Sequence, residues 1–187
     1  MSLIEKSEKV LGKIHQIIKG KKKKEDKLSQ ILKLIVKHAD IDQDKYFLLG
    51  SYAIRKHRTI NDLDINMEKL EWDKLRAAFP TPDDKNFPWK TEWYGDQWRW
   101  FIELTPYYRK HVDKNEKDFS IEMFRKEKTS GFPNDTFSLS YLRRNKGLDR
   151  DKNGHQHFKL KTLLKWKKTM NREKDQKDIE LIKSIMK

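Results

Sequence analysis

The amino-acid sequence predicts an α+β fold, with helices towards both ends of the chain and strands in the middle. Apolar residues in the segment 28–36 recur at the i, i+3, i+4 and i+7 spacing of one helical face. The segment 62–67, DLDINM, alternates with the period of two that is typical of a half-buried strand. A chain of 187 residues is long enough to bury a core, so we expect one compact unit.

The N-terminal part of the chain predicts a helical hairpin. An apolar stripe between residues 3 and 18 indicates a first helix, and Gly20 marks its end. The lysine run at 21–24 is typical of a solvated connection to the second helix. We therefore expect a helical extension at 1–40 and a main domain at 41–187.

The main domain shows alternating or apolar segments that predict strands, followed by two segments of helical spacing at the C-terminus. Strands are expected at 45–51, at 62–67, twice within 88–104 around a turn at 94–97, and at 118–124, and helices at 71–79, 157–170 and 175–186. A high density of Gly, Asn and Asp indicates loops through 129–157, and the sequence HQH at 155–157 is interpreted as an exposed turn.

The composition excludes several classes of protein. The chain has no cysteine, which excludes disulfides, thiolate nucleophiles and cysteine-ligated zinc. No apolar stretch reaches the roughly 18 residues that a membrane span needs, and the N-terminus mixes acidic residues into its apolar positions, unlike a signal peptide. We expect a soluble, intracellular protein with no membrane partner.

The net charge of +14 is concentrated at the two ends of the chain. Residues 1–40 have a net charge of +6, residues 41–142 of −1, and residues 143–187 of +9. Basic flanks around a near-neutral centre favour the binding of a polyanion such as RNA or DNA through the termini. A compositional bias towards solvated lysine is the alternative explanation.

Two aspartates at alternate positions of a predicted strand are the strongest chemical signal. Asp62 and Asp64 differ by two residues, so on a strand their side chains point to the same face. Neighbouring carboxylates repel each other unless a cation neutralises them or one is protonated. Oxygen ligands of this kind suit Mg²⁺ or Mn²⁺, which also bind substrate phosphates.

A Gly-Ser pair ends the apolar strand that precedes these aspartates. A glycine at a strand end, Gly50, allows the backbone to approach a ligand closely. The hydroxyl of Ser51 and the neighbouring N–H groups are suited to holding phosphate oxygens.

The order of apolar strand, Gly-Ser, a polar loop of ten residues and an apolar-bounded D-x-D resembles the signature of the polymerase-β-like nucleotidyltransferase superfamily. The resemblance implies a mixed, largely antiparallel sheet backed by helices, which presents three carboxylates to two metal ions. It also implies the reaction, in which an acceptor hydroxyl attacks the α-phosphate of a nucleoside triphosphate and pyrophosphate leaves. By this resemblance Asp62 and Asp64 would bind the metal, and Gly50 and Ser51 would hold phosphate.

The resemblance requires a third carboxylate from a later strand. Glu122, in FSIEMF, is our choice as a catalytic metal ligand, and Glu103, in WFIEL, is the alternative. Arg55, Arg58 and Lys165 are candidates for contacting the triphosphate, with plain solvent exposure as the alternative for each.

A second stretch of resemblance lies near the C-terminus. The spacing R-x-K-D-x-x-D-I at 172–179 is frequent in minimal nucleotidyltransferases. For Asp175 and Asp178 we nevertheless favour a purely structural explanation, because acidic residues in the first turn of a helix are stabilised by its dipole.

The sequence therefore predicts a Mg²⁺- or Mn²⁺-dependent nucleotidyltransferase that moves a nucleotide from a nucleoside triphosphate onto a hydroxyl group. The basic flanks favour a nucleic acid 3′ end as the acceptor. Two alternatives stay open: a minimal transferase that modifies a small molecule or a protein hydroxyl, and an inactive domain that binds nucleic acid.

Overall fold

The structure is a computed structural model that describes residues 3–20, 24–58, 60, 62–80, 89–94, 97–103, 120–125 and 138–187. The helices are α1 Leu3–Lys19, α2 Lys24–His38, α3 Lys69–Ala78, α4 Leu139–Arg144, α5 Leu160–Met170 and α6 Gln176–Ile185. The strands are β1 Tyr46–Leu48, β2 Asp62–Met67, β3 Trp89–Tyr94, β4 Gln97–Glu103, β5 Ser120–Arg125, β6 Leu148–Arg150 and β7 Gln156–Phe158. Short 3₁₀ helices lie at Gln43–Lys45, Gly50–Ile54 and Glu173–Asp175.

Seven strands of the described residues form one mixed sheet in the order β3-β4-β5-β2-β1-β7-β6. β1 runs parallel to β7 and β2 runs parallel to β5, whereas the other neighbouring pairs are antiparallel. The predicted α+β fold with a mixed sheet and helices is confirmed. Its assignment to the nucleotidyltransferase type stays a prediction.

The two faces of the sheet pack against different helices. Leu63 and Ile65 of β2 belong to one buried cluster with residues of α1, α2 and α3. On the opposite face, Phe47 of β1 and Phe158 of β7 pack with residues of α5 and α6, and their ring centroids are 5.5 Å apart. Because strand side chains alternate between faces, Asp62 and Asp64 project away from the first cluster.

The predicted pair of N-terminal helices is present. Ile14 of α1 and Ile31 of α2 are fully buried in the same cluster as the residues of β2. The lysines at 21–23 lie outside the described residues. The domain boundary at residue 40 stays a prediction, although α2 shares its apolar contacts with the sheet.

The expectation of loops through 129–157 is wrong for its C-terminal part. α4, β6 and part of β7 lie in this segment, and His155 and His157 are buried. The interpretation of HQH as an exposed turn is therefore also wrong. Strands of three residues are too short to show a period, and hydrogen bonds such as the 2.6 Å contact between Tyr46 Oη and His155 Nδ1 offset the burial of polar atoms.

Among the described helices, none combines the length and the apolar character that crossing a membrane requires.

Candidate functional site

The Gly-Ser turn and the second aspartate of the D-x-D pair meet at the end of β1. Gly50 is buried and has φ +58°, a left-handed conformation that residues with a side chain rarely adopt. A Cβ atom at Gly50 would lie 3.2 Å from Asp64 Oδ2. The backbone N–H of Leu49 donates a 2.7 Å hydrogen bond to the Asp64 carbonyl and fixes this approach. Glycine is therefore needed here for both its conformation and its small size.

The strand register groups acidic positions on one face of the sheet. Asp62 is exposed and Asp64 is half-buried, and both lie on the face opposite Leu63. Asp64 pairs directly with Glu122 on the neighbouring parallel strand. Glu103 pairs with Ser120, which in turn pairs with Asp62, so Glu103 lies two strands from the aspartates.

This register favours Glu122 over Glu103 as the third carboxylate. Neighbouring strands are about 4.8 Å apart, so the backbone at 122 is one such step from β2 and the backbone at 103 is two steps away. For Glu103 and Glu122 the structure describes the backbone and not the side chain. The choice between the two glutamates therefore stays a prediction.

The donor set at this face fits a hard divalent cation. Asp62 and Asp64 offer carboxylate oxygens, and Gly50 leaves open the space beside Asp64 that a side chain would fill. Within the part of the chain that the structure describes, no group of three or more metal-ligating side chains is present. Of the three predicted metal ligands, Asp62 and Asp64 have side chains that the structure describes. The metal site itself stays a prediction.

The other residue of the turn, Ser51, contacts the C-terminal helices. Its hydroxyl donates a 3.2 Å hydrogen bond to Asp178 Oδ2 in the first turn of α6. Arg58, at the end of the same segment, donates from Nη1 to Asp178 Oδ1. One carboxylate therefore holds both ends of the loop that begins at the Gly-Ser turn.

A buried lysine anchors this carboxylate. Lys167 Nζ lies 2.8 Å from Asp178 Oδ2 and 2.7 Å from Asp175 Oδ1, and all three side chains are 3–4% exposed. Arg172 adds a 2.6 Å contact from Nε to Asp175 Oδ2. Burial disfavours the charged form of Asp178, but the hydrogen bond and charge of Lys167 and the charge of Arg58 outweigh it and lower its pKa. The pKa of Asp175 is lowered in the same way, against burial, by hydrogen bonds from Arg172 and Lys167.

These contacts agree with a structural role for Asp175 and Asp178 and add a cause to the expected helix dipole. Both aspartates are buried partners of Lys167. A signal for them exists in the sequence, since Lys167 occupies the i+7 position of the apolar stripe that starts at Leu160. Charged residues inside an apolar stripe indicate buried ion pairs.

The remaining predicted nucleotide-binding residues are Arg55 and Lys165. Arg55 lies with its guanidinium carbon 4.1 Å from the ring centroid of Tyr52, and its Nη1 donates a 2.9 Å hydrogen bond to the Tyr52 carbonyl. Lys165 is exposed on α5 and lines a shallow groove with Lys161 and Lys168. A contact of either Arg55 or Lys165 with a nucleotide stays a prediction.

Comparison of the chain with protein families, with curated proteins and with solved structures finds no match. The function must therefore be inferred from the residues of the chain itself.

Replacing the buried lysine tests whether the network fixes the C-terminal helices. We expect Lys167→Met to lower the free energy of unfolding by about 3 kcal/mol, because it leaves two buried carboxylates without their shared cation. Urea unfolding followed by circular dichroism measures this change. Lys168→Met is the matched control on the exposed side of α5, and we expect it to change stability by about 0.5 kcal/mol or less. Equal effects of the two substitutions would contradict a special role of Lys167.

The same network predicts a loss of stability in acid. The pKa values of Asp175 and Asp178 are lower in the folded chain than their ordinary value of 3.8, so the unfolded chain binds protons first as the pH falls. Their contribution is complete above the ordinary value and is lost as the pH falls through the lowered values, so stability should decrease below about pH 4. Urea unfolding across this range should show a weaker pH dependence in Asp178→Asn than in the unaltered chain. An identical dependence would exclude Asp178 as a source of the effect.

Proposed function

We propose that the chain is a metal-dependent nucleotidyltransferase that transfers a nucleoside monophosphate from a nucleoside triphosphate to an acceptor hydroxyl and releases pyrophosphate. The observation on which this proposal rests is the close approach of Gly50 to Asp64. It brings together the Gly-Ser turn and the D-x-D pair, the two motifs that carry the resemblance to nucleotidyltransferases. The register of Asp64 with Glu122 supports it, because a third acidic position lies on the same face.

The acidic face would hold the metal ion through Asp62 and Asp64. A bound Mg²⁺ or Mn²⁺ ion neutralises charge on the attacking and departing oxygens of a phosphoryl transfer. The chain itself supplies the room beside Asp64, since Gly50 presents no side chain to the space in which a phosphate oxygen would bind. Any substituent at this position would occupy that space and strain the backbone.

Ser51 would contribute through its hydroxyl and backbone N–H. The hydroxyl proton is directed at Asp178, so donation to a phosphate requires the hydroxyl to rotate away from that carboxylate. Asp178 keeps its contacts with Lys167 and Arg58 during such a rotation and stays fully paired. The network therefore lets Ser51 change partners without leaving a buried charge unsatisfied.

The acceptor is proposed to be the 3′ end of a nucleic acid. The exposed lysines of α5 form a basic groove, and residues 143–187 have a net charge of +9, which favours binding along a phosphate backbone. A small molecule or protein hydroxyl is the second candidate acceptor.

Removing both aspartates tests the proposed chemistry. Asp62→Asn combined with Asp64→Asn should abolish metal-dependent transfer, because neutral amides bind a divalent cation much more weakly than carboxylates. The assay incubates the chain with each labelled nucleoside triphosphate, Mg²⁺ or Mn²⁺, and a panel of single-stranded RNA, primed DNA, tRNA and protein extract. Asp73→Asn, an exposed aspartate on α3, is the matched control and should keep full activity. Turnover that survives in the double variant would remove these aspartates from the mechanism.

The same assay ranks the third carboxylate. Glu122→Gln should reduce transfer strongly, and Glu103→Gln should reduce it weakly, because position 122 is one strand from Asp64 and position 103 is two strands from Asp62. The opposite ranking would assign the role to Glu103.

The length of the acceptor distinguishes a polymer from a small molecule. If a strand extends over the basic groove, the KM for an oligonucleotide should fall as its length increases from about three to twenty nucleotides. Added salt should remove most of this gain, with a log–log slope of about −0.7 for each phosphate contact. Steady-state extension assays with Lys165→Gln and Lys168→Gln together should show a smaller slope. Transfer that is independent of oligonucleotide length, or that occurs only to a small or protein hydroxyl, would replace the polymer acceptor with the second candidate.

A further inference from the structure

A second cleft lies where the 3₁₀ helix Gly50–Ile54 meets β7 and α2. Its volume is about 520 Å³, which falls within the usual range for sites that bind small molecules. Ser29, Tyr52, Arg55, Lys56, Asn153 and His157 are among the residues that line it. Among the described residues, the lining includes neither aspartate of the D-x-D pair nor Ser51.

This cleft is separate from the acidic face. Leu48 pairs with Ile65 on one side and with His157 on the other, so these three positions lie on the same face of the sheet. Asp64 precedes Ile65 and therefore lies on the opposite face. A ligand of the cleft is consequently distinct from the metal and triphosphate of the proposed transfer.

The imidazole of His157 lines the cleft. His157 is only 8% exposed, and its Nδ1 lies 2.9 Å from the Phe158 carbonyl oxygen, which can only accept. Nδ1 must therefore be the protonated nitrogen, and Nε2 is left as an acceptor with no protein partner among the described residues. Burial lowers the pKa of His157, and this keeps the imidazole neutral. A ligand group that donates a hydrogen bond would satisfy Nε2.

Two cations at the rim have donors available. Arg55 uses Nη1 for the Tyr52 carbonyl, and its other N–H groups have no hydrogen-bond partner among the described residues. Lys56 is exposed and forms no ion pair within the described part of the chain. By contrast, Asp151 has its carboxylate occupied by Tyr52 Oη at 2.5 Å and by two backbone N–H groups. Asp149 also lines the cleft and is exposed, and its Oδ1 accepts a 3.0 Å hydrogen bond from the Arg150 backbone N–H. An anionic group of a ligand is therefore suited to Arg55 and Lys56 rather than to the aspartate side of the cleft.

We propose that this cleft binds a nucleoside monophosphate unit, with its phosphate at Arg55 and Lys56 and a hydroxyl or amino group donating to His157 Nε2. Two cations beside a hydrogen-bond acceptor call for a ligand that has both an anionic group and a hydrogen-bond donor. The cleft, at about 520 Å³, is also larger than a phosphate ion would fill. The unit comes either from a free mononucleotide or from one nucleotide of a strand. This inference does not depend on the proposed nucleotidyl transfer.

The test is isothermal titration calorimetry of the full chain with adenosine 5′-monophosphate in a buffer containing EDTA, which removes any metal from the acidic face. We expect binding at one site, and Arg55→Gln should weaken it about tenfold, as expected for the loss of a charge-assisted hydrogen bond. His157→Phe keeps an aromatic ring against Tyr52 and should weaken binding of the nucleotide, while leaving the weaker binding of inorganic phosphate unchanged. Thermal unfolding of each variant checks that it is folded. If His157→Phe does not fold, Arg55→Gln still tests the proposal, because Arg55 lies at the rim of the cleft.

Two controls separate the cleft from general attraction of anions. Lys69→Gln removes an exposed lysine on α3, outside the cleft, and should leave the affinity unchanged, as should Asp73→Asn on the same helix. A second titration, with a single-stranded oligoribonucleotide, distinguishes a free mononucleotide from one nucleotide of a strand. If the oligoribonucleotide competes with the mononucleotide, and if Arg55→Gln weakens this competition, the cleft binds one nucleotide of a strand. Absence of binding by either probe up to about 10 mM, or an equal effect of Lys69→Gln and Arg55→Gln, would overturn the proposal.

Discussion

The burial of Lys167 between two aspartates holds α5 and α6 against each other and against the loop at 50–58. A buried ammonium group must be paired, and Lys167 on α5 is paired with Asp175 and Asp178, which lie before and within the first turn of α6. Asp178 also binds Ser51 and Arg58, which are 127 and 120 residues away in the sequence. The two helices and the loop at 50–58 can therefore move only together, because separating them would leave charges buried without partners.

Gly50 connects this network to the acidic face. With Ser51 held by Asp178, the preceding residue has to turn sharply at the end of β1, and only glycine adopts the left-handed φ of +58° without strain. The turn places Gly50 against the Asp64 carboxylate, on the sheet face that also includes Asp62. The Gly-Ser turn next to the aspartates is thus connected, through Ser51, to an ion pair formed by helices at the other end of the chain.

Local patterns predicted the parts of the fold that have long regular elements. The helical stripe of α2 and the alternation of β2 are present as expected, because each is decided by burial of one face. β7 has three residues, so it shows no usable period, and the buried His155 just before it is stabilised by a distant partner, Tyr46. The aspartate pair could be recognised from spacing alone, whereas its pairing with Glu122 depends on strand order, which spacing does not encode.

The buried network also changes what the basic charge of the chain means. Lys167, Arg172 and Arg150 all form ion pairs within the protein, so the net charge of residues 143–187 overstates the number of cations available to a partner. Successive residues of a helix are about 100° apart, so Lys165 lies on the side of α5 opposite Lys167. One side of this helix therefore faces solvent with exposed lysines, and the other holds the network that reaches Ser51. A strand bound along the exposed side, as proposed, would lie about one helix diameter, roughly 10 Å, from the buried lysine, so that one helix would connect the proposed acceptor surface with the buried network.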